Sequence, residues 1–275
     1  MKCVWKNPQS SFAALLLCVF GVTAAEPDYS KLPRPKAVPP PGNAKVKQSI
    51  ERGVYFLLER QNKDGSWGSP RNTKGLNIYA PTFQSHYAFR LAVTALSTSA
   101  LIEAGGDSPH VERAIEDGEK YLFEHLPKLR RATADAMYNV WSHAYAIQTL
   151  VRMRARLPKD KARIAKIDAL IRNQFDRLNR YESVDGGWGY YDFRYQARKP
   201  TSSSISFVNG TVLIAFAEAR DVGIKPPQKI ADRAIAAINR QRKKDFSYLY
   251  GEYRNRQPMR GINRPGGSLG RTQCC

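Results

Sequence analysis

From Ala44 onward, apolar residues recur at three- and four-residue spacing, broken by short stretches carrying Gly, Pro and Asp, and the strict alternation of a strand is nearly absent. This pattern predicts seven helices. The first covers Val46 to Gln61, with Ile50, Val54, Phe56, Leu57 and Leu58 on or beside one face. The second, Tyr87 to Ala104, is apolar nearly all round and stops at Gly105-Gly106, where a left-handed residue ends a helix without strain. Pro109 to Leu126 is amphipathic again, and Asn139 to Arg156 runs from aromatic and small residues to basic ones before Pro158. Lys161 to Arg180, Ile205 to Val222 and Pro227 to Lys243 complete the set. Apolar helices alternate with amphipathic ones, as inner and outer layers of an all-α ring require.

The first 43 residues follow other rules. Lys2 and Lys6 precede an apolar run from Phe12 to Val22, and Thr23-Ala24-Ala25 ends it before the first acid, Glu26. The run is shorter than the roughly 20 residues that span a bilayer. Its flanks are those of a signal peptide over residues 1–25, cut near Ala25. An uncleaved membrane anchor is the alternative; acylation of Cys18 is disfavoured because Leu17 stands where a small residue is wanted. Residues 26–43 hold six prolines (Pro27, Pro33, Pro35, Pro39, Pro40, Pro41), an extended tether that leaves 44–275 as the globular part.

Three short segments end amphipathic helices: "NKDGSWG" with Trp67, "SVDGGWG" with Trp188 and "KKDFSYL" with Tyr248. Trp188 lies 121 residues after Trp67, and Tyr248 lies 181 after it, near two and three units of about 60. The longer offset aligns Leu57 with Ile238, while Ile115, Gly118, Tyr121 and Leu122 follow Ile50, Gly53, Phe56 and Leu57 by 65. Four outer helices thus share a register.

The stretch "RGVYFLLERQNKDGSW", with Arg52, Gly53, Phe56, Leu57, Gln61, Gly65 and Trp67, resembles the QW repeat of the prenyltransferase and squalene-cyclase superfamily. Around Gly187 and Trp188 only the turn of that motif is kept, and around Tyr248 it is degenerate. The resemblance implies an α/α toroid of helix pairs over residues 44–275. Such a toroid has six pairs; seven helices and the start of an eighth at Ser268–Cys275 make three and a half, an incomplete ring, where closure would take on the order of 360 residues. An open ring edge would expose Ile230, Ile235 and Ile238 and invite homo-association. The motif residues read as structural staples. Gln61 stands where a side-chain amide can bond helix-end carbonyls, Gly65 permits positive φ, and Trp67 can lie over a neighbouring helix end.

Composition then narrows the chemistry. Lys and Arg number 44 against 24 Asp and Glu, giving +20; losing Lys2 and Lys6 with a signal peptide leaves +18. Basic runs at 128–131, 152–156 and 240–244 suit an anionic membrane surface or an acidic polysaccharide, and export argues against nucleic acid. No cysteine lies between Cys18 and Cys274, which excludes a disulfide framework, a Cys-rich zinc module and the zinc ligand set of protein prenyltransferases. The Asp-x-Asp-Asp acid motif of squalene cyclases is also absent. No metal and no cofactor are expected. Asp135, Asp185, Asp192 and Glu182 read as turn and capping residues, and His110 and His125 as solvated.

A ligand cavity is expected at the N-terminal ends of the inner helices. His86 and His143 would supply polar groups there, with Asn209 at matching height 66 residues after His143. Tyr87, Tyr138, Trp141, Tyr145 and Phe207 would form the walls. These residues suggest an exported toroid that binds an apolar or glycan-like ligand. The alternative is an isoprenoid cyclase, a transferase or a polysaccharide-acting enzyme whose catalytic residues lie partly in a missing C-terminal half.

Overall fold

A computed structural model describes residues 38–69, 82–106, 108–192, 199–201, 204–252 and 261–275. The chain divides at Pro41 into two units, Met1–Pro41 and Gly42–Cys275. The expected signal peptide and nearly all of the proline-rich tether lie outside the described residues. No helix among the described residues is long and apolar enough to cross a membrane.

The second unit is all-helical among the described residues. Its helices are α1 (Asn43–Arg60), α2 (Phe83–Ala104), α3 (Pro109–His125), α4 (Asn139–Arg156), α5 (Lys161–Tyr181), α6 (Ser206–Asp221), α7 (Gln228–Gln241) and a short α8 (Leu269–Cys274). Their ends are set by local chemistry. Thr82 caps α2 by accepting from the Ser85 amide, Asp160 caps α5 by accepting from Arg163, and Pro109 opens α3. Gly106, at φ 64°, is the left-handed stop after α2.

Even-numbered helices form a consecutive row, α2 on α4, α4 on α6 and α6 on α8, while α3, α5 and α7 pack on α2, α4 and α6. The core runs through this double row, from Leu91 and Ala95 through Ile147 and Leu150 to Trp188, Val212 and Phe216. Buried Glu119 on α3 accepts from Arg156 of α4 and Arg163 of α5, both at 2.7 Å, which joins three elements through one carboxylate. A smaller cluster surrounds Trp67, with Leu101, Val111, Ala114 and Ile115.

Three turns after α1, α5 and α7 share one hydrogen-bond pattern. The Asn62, Ser183 and Lys243 amides each donate to the carbonyl four residues on (Ser66, Gly187 and Ser247), at 2.8 Å in each case. Within each turn, Gly65, Gly186 and Phe246 donate back to the same residue, at φ of 82°, 96° and 61°. The indoles of Trp67 and Trp188 both donate, at 2.8 Å, to a carbonyl ten residues earlier, Leu57 and Leu178. A Cβ on Gly65 would come within 2.4 Å of the Asp117 carbonyl oxygen, and one on Gly186 within 2.6 Å of that of Arg233. Glycine is thus required twice over, by φ and by the helix packed against the turn, α3 or α7. At the third turn Phe246 is 59% exposed and stacks under the Arg242 guanidinium, so only the φ cost remains.

Several expectations change. Gln61 does not serve its own helix end: its amide donates to Gly65 of the turn and Ala114 of α3. Arg52 and Phe56 are exposed, and Gly53 has open space around it, because α1 buries no residue fully. On α3 the residues matching Gly53 and Phe56, Gly118 and Tyr121, are buried, with Gly118 pressed against Thr98 and Trp67. Ile230 and Ile238 are buried in the contact of α7 with α6, leaving Ile235 exposed.

Candidate functional site

Each long helix of the even-numbered row keeps a stripe that is not buried, at helical spacing i, i+4, i+7 and i+11. On α2 it is Phe89, Val93, Leu96 and Ala100; on α4, Trp141, Tyr145, Gln148 and Arg152; on α6, Phe207, Thr211, Ile214 and Glu218. None of these is buried, whereas Ala88, Ala92, Ala144, Val208 and Val212 on the flanking faces are. The stripes are in register and graded along their length. Aromatic rings lie at the N-terminal end, and ions lie at the other.

At the ionic end, the Arg152 guanidinium donates to Glu103 at 2.8 Å and to Glu218 at 2.7 Å, spanning from α2 to α6. The hydrogen bond to Glu218 pushes the Arg152 pKa above its ordinary value. At the aromatic end the rings form a row. Phe89 lies 4.8 Å from Tyr138, Tyr138 lies 6.2 Å from Tyr190, and Tyr190 lies 6.4 Å from Trp141. Trp141 stacks with Tyr145 at 5.9 Å and with Phe207 at 5.8 Å, and Phe207 meets Tyr250 edge-on at 5.4 Å. Arg271 on α8 holds its guanidinium 5.8 Å from the Tyr250 ring, a cation–π contact that ends the row.

Beside Phe89 the row opens into a cavity of about 480 Å³ lined by His86, Tyr87, Arg90, Tyr121 and His125, with Asp64 at its rim. The Tyr87 hydroxyl lies 3.0 Å from both the carbonyl oxygen and Nδ1 of His125, whose ring stacks on Tyr121 at 4.1 Å. Burial pushes the Tyr87 phenol up to about 12 and lowers the His125 imidazole, so at neutral pH a neutral phenol faces a neutral ring. His125 is therefore a partly buried cavity residue, not a solvated one. Among the described residues no group of three His, Cys, Asp or Glu is placed to hold a metal ion.

His143 and Asn209 are not at the cavity. Each follows its stripe aromatic, Trp141 or Phe207, by two residues, which turns it about 200° around the helix and into the opposite face. His143 is fully buried between α4 and α5. Gln174 donates its amide to Leu170 and accepts from His143 Nδ1 at 2.7 Å, while His143 Nε2 lies 3.3 Å from Asn139. Burial, reinforced by the nearby Arg177 charge, lowers the His143 pKa to about 4. Asn209 accepts from the Trp188 backbone amide at 2.6 Å, the place that Thr94 takes for Trp67. Both residues are parts of the scaffold.

The acids have equally local duties. Glu182, at the position of Gln61, accepts from Arg233 and Lys199, and Asp192 accepts from Arg131. Sequence reasoning missed Phe89, Tyr190, Tyr250 and Tyr121. A signal for two of them existed, since Tyr190 and Tyr250 each stand two residues after the turn aromatics Trp188 and Tyr248. Compared with known proteins, the chain matches no family model, no curated protein and no solved structure.

Proposed function

We propose that the chain is an exported, toroid-type protein of QW-like helix pairs whose uncovered inner face binds an apolar or glycan-like ligand. The single observation that carries the binding reading is the aromatic row from Phe89 to Tyr250, whose rings, apart from buried Tyr138, pack on the core while each keeps part of its surface exposed. Aromatic faces held open to water gain roughly 25 cal/mol for each Å² a ligand covers. The flat rings of Trp141, Tyr145 and Phe207 suit either a sugar face or a hydrocarbon chain. The aromatic half of the stripes contains no carboxylate, which favours binding over acid catalysis. The three matching turns support the repeat reading, and the inner row of helices supports the toroid.

Binding is testable by titration calorimetry with farnesol and with a cello-oligosaccharide as probes. One of the two should bind, and Phe207→Ala, its fold confirmed by a cooperative thermal melt, should weaken that binding at least about tenfold. Binding of neither probe, or unchanged binding by the variant, contradicts the reading. Export has its own test. A fusion of residues 1–30 to a reporter should leave the cytoplasm and be cut near Glu26. Retention of an uncut fusion in the cytoplasm rejects export.

A further inference from the structure

On the helices Arg90, Arg152, Arg154, Arg156, Arg163, Arg233 and Arg240 each have a carboxylate partner, and Arg131 has one in the segment before α4. The junction between the end of α3 and α5 is different. There the Arg130 Nη1 donates to the carbonyls of Pro127 (3.1 Å) and Leu129 (3.0 Å), and Arg177 donates to the same two carbonyls through Nη2 (3.2 Å) and Nη1 (3.0 Å). Two guanidinium groups are therefore clamped on one pair of oxygens, with their nitrogens on Leu129 within twice 3.0 Å of each other. Of the nearby acids, Glu124 pairs with Lys128, and Asp192 with Arg131. Among the described residues no carboxylate forms an ion pair with Arg130, Arg177 or Arg180.

We propose that this junction is a binding site for a phosphate-type oxyanion, gripped by Arg130 and Arg177. A guanidinium carries five N–H donors. Arg130 spends only Nη1 on the carbonyls, which leaves its Nε and Nη2 edge, the edge that forks onto two oxygens of an oxyanion, pointing from an exposed side chain. Half-buried Arg177 supplies the second charge from another element, fixed by its carbonyl bonds. Burial and the charges of Arg130 and Arg180 lower the Arg177 pKa below its ordinary value, a repulsion that a bound dianion would relieve. A tetrahedral phosphate has enough oxygens and charge to bridge both groups. The same headgroup chemistry is carried by free phosphate and by the phosphomonoester of an anionic lipid. This site does not depend on the aromatic row.

The test uses the full chain and inorganic phosphate, titrated at constant ionic strength against chloride. Saturable phosphate binding is expected, at least about tenfold weaker in Arg130→Gln, and unchanged in Arg113→Gln, an exposed arginine in the first half of α3. Arg130→Lys keeps the charge without the fork and should fall between the two. A thermal melt of Arg130→Gln without phosphate, matching the parent, confirms that the variant is folded. Flotation with phosphatidylcholine vesicles containing phosphatidic acid separates the sources. Vesicle binding lost in Arg130→Gln assigns a lipid headgroup, and phosphate binding without vesicle binding assigns a soluble one. Phosphate acting no differently from chloride, together with vesicle binding that is absent or indifferent to Arg130→Gln, overturns the proposal.

Discussion

Trp188→Ala is expected to lower the unfolding free energy by about 3–5 kcal/mol, the range for truncating a fully buried large aromatic side chain. The indole is 0% exposed, stands edge-on to Phe216 at 5.8 Å, and donates to the Leu178 carbonyl at the end of α5. Truncation leaves both a cavity and a helix-end carbonyl without its partner. Trp188→Phe keeps most of the volume and loses the hydrogen bond, so it should cost about 1 kcal/mol more than the packing change alone. Urea unfolding of the two variants separates the two contributions. A Trp188→Ala midpoint equal to the parent's would mean that the turn does not staple α5.

The second large effect is a dependence of stability on pH that traces to His143. In the folded chain its pKa is lowered to about 4 by burial, with Arg177 adding to the shift and the Gln174 hydrogen bond opposing it. Unfolded, the imidazole takes up its proton near 6.5. Between those values the unfolded state binds more protons, so stability is complete above pH 6.5 and is lost as the pH falls towards 4. The loss amounts to roughly 1.4 kcal/mol per pH unit, about 3 kcal/mol across the window. Groups facing the ring are Asn139 on its own helix, Gln174 and Tyr181 on α5, and the Arg177 charge, so among the described residues no carboxylate is placed to hold the imidazolium. Denaturant unfolding of the parent and of His143→Gln at a series of pH values gives the contribution as a difference curve. That curve should slope between pH 6.5 and 4 and be flat above. A flat difference throughout would contradict the buried neutral state.

The helices were legible because their causes are local. Apolar spacing, Pro109, Asp160 and Gly106 act within a few residues, and the reading from Asn139 to Arg156 coincides with α4. The turns were legible for the same reason, since a positive φ at Gly65 or Gly186 is written in the residue itself. What escaped was which face of a helix meets which neighbour. His143 and Trp141 are two residues apart and looked like one site, yet helical geometry sends them to opposite sides. Gln61 reaches Ala114, 53 residues away, because α3 packs beside the turn, and nothing local announces that. The Arg130–Arg177 junction likewise depends on α5 docking against the end of α3. His125 entered the cavity through tertiary packing against Tyr87, where its charged surroundings in sequence suggested solvent.

The binding claim is tested most directly by ¹⁹F NMR of the chain labelled with 5-fluorotryptophan, with Trp5→Phe removing the one tryptophan outside the described residues. Three resonances then report Trp67 and Trp188, both buried in the staples, and Trp141, half-buried in the aromatic row. Addition of whichever probe binds should shift or broaden the Trp141 signal in a saturable way and leave the other two in place. A saturating probe that leaves Trp141 unmoved, or moves only Trp67 or Trp188, would contradict the assignment of the row as the ligand surface.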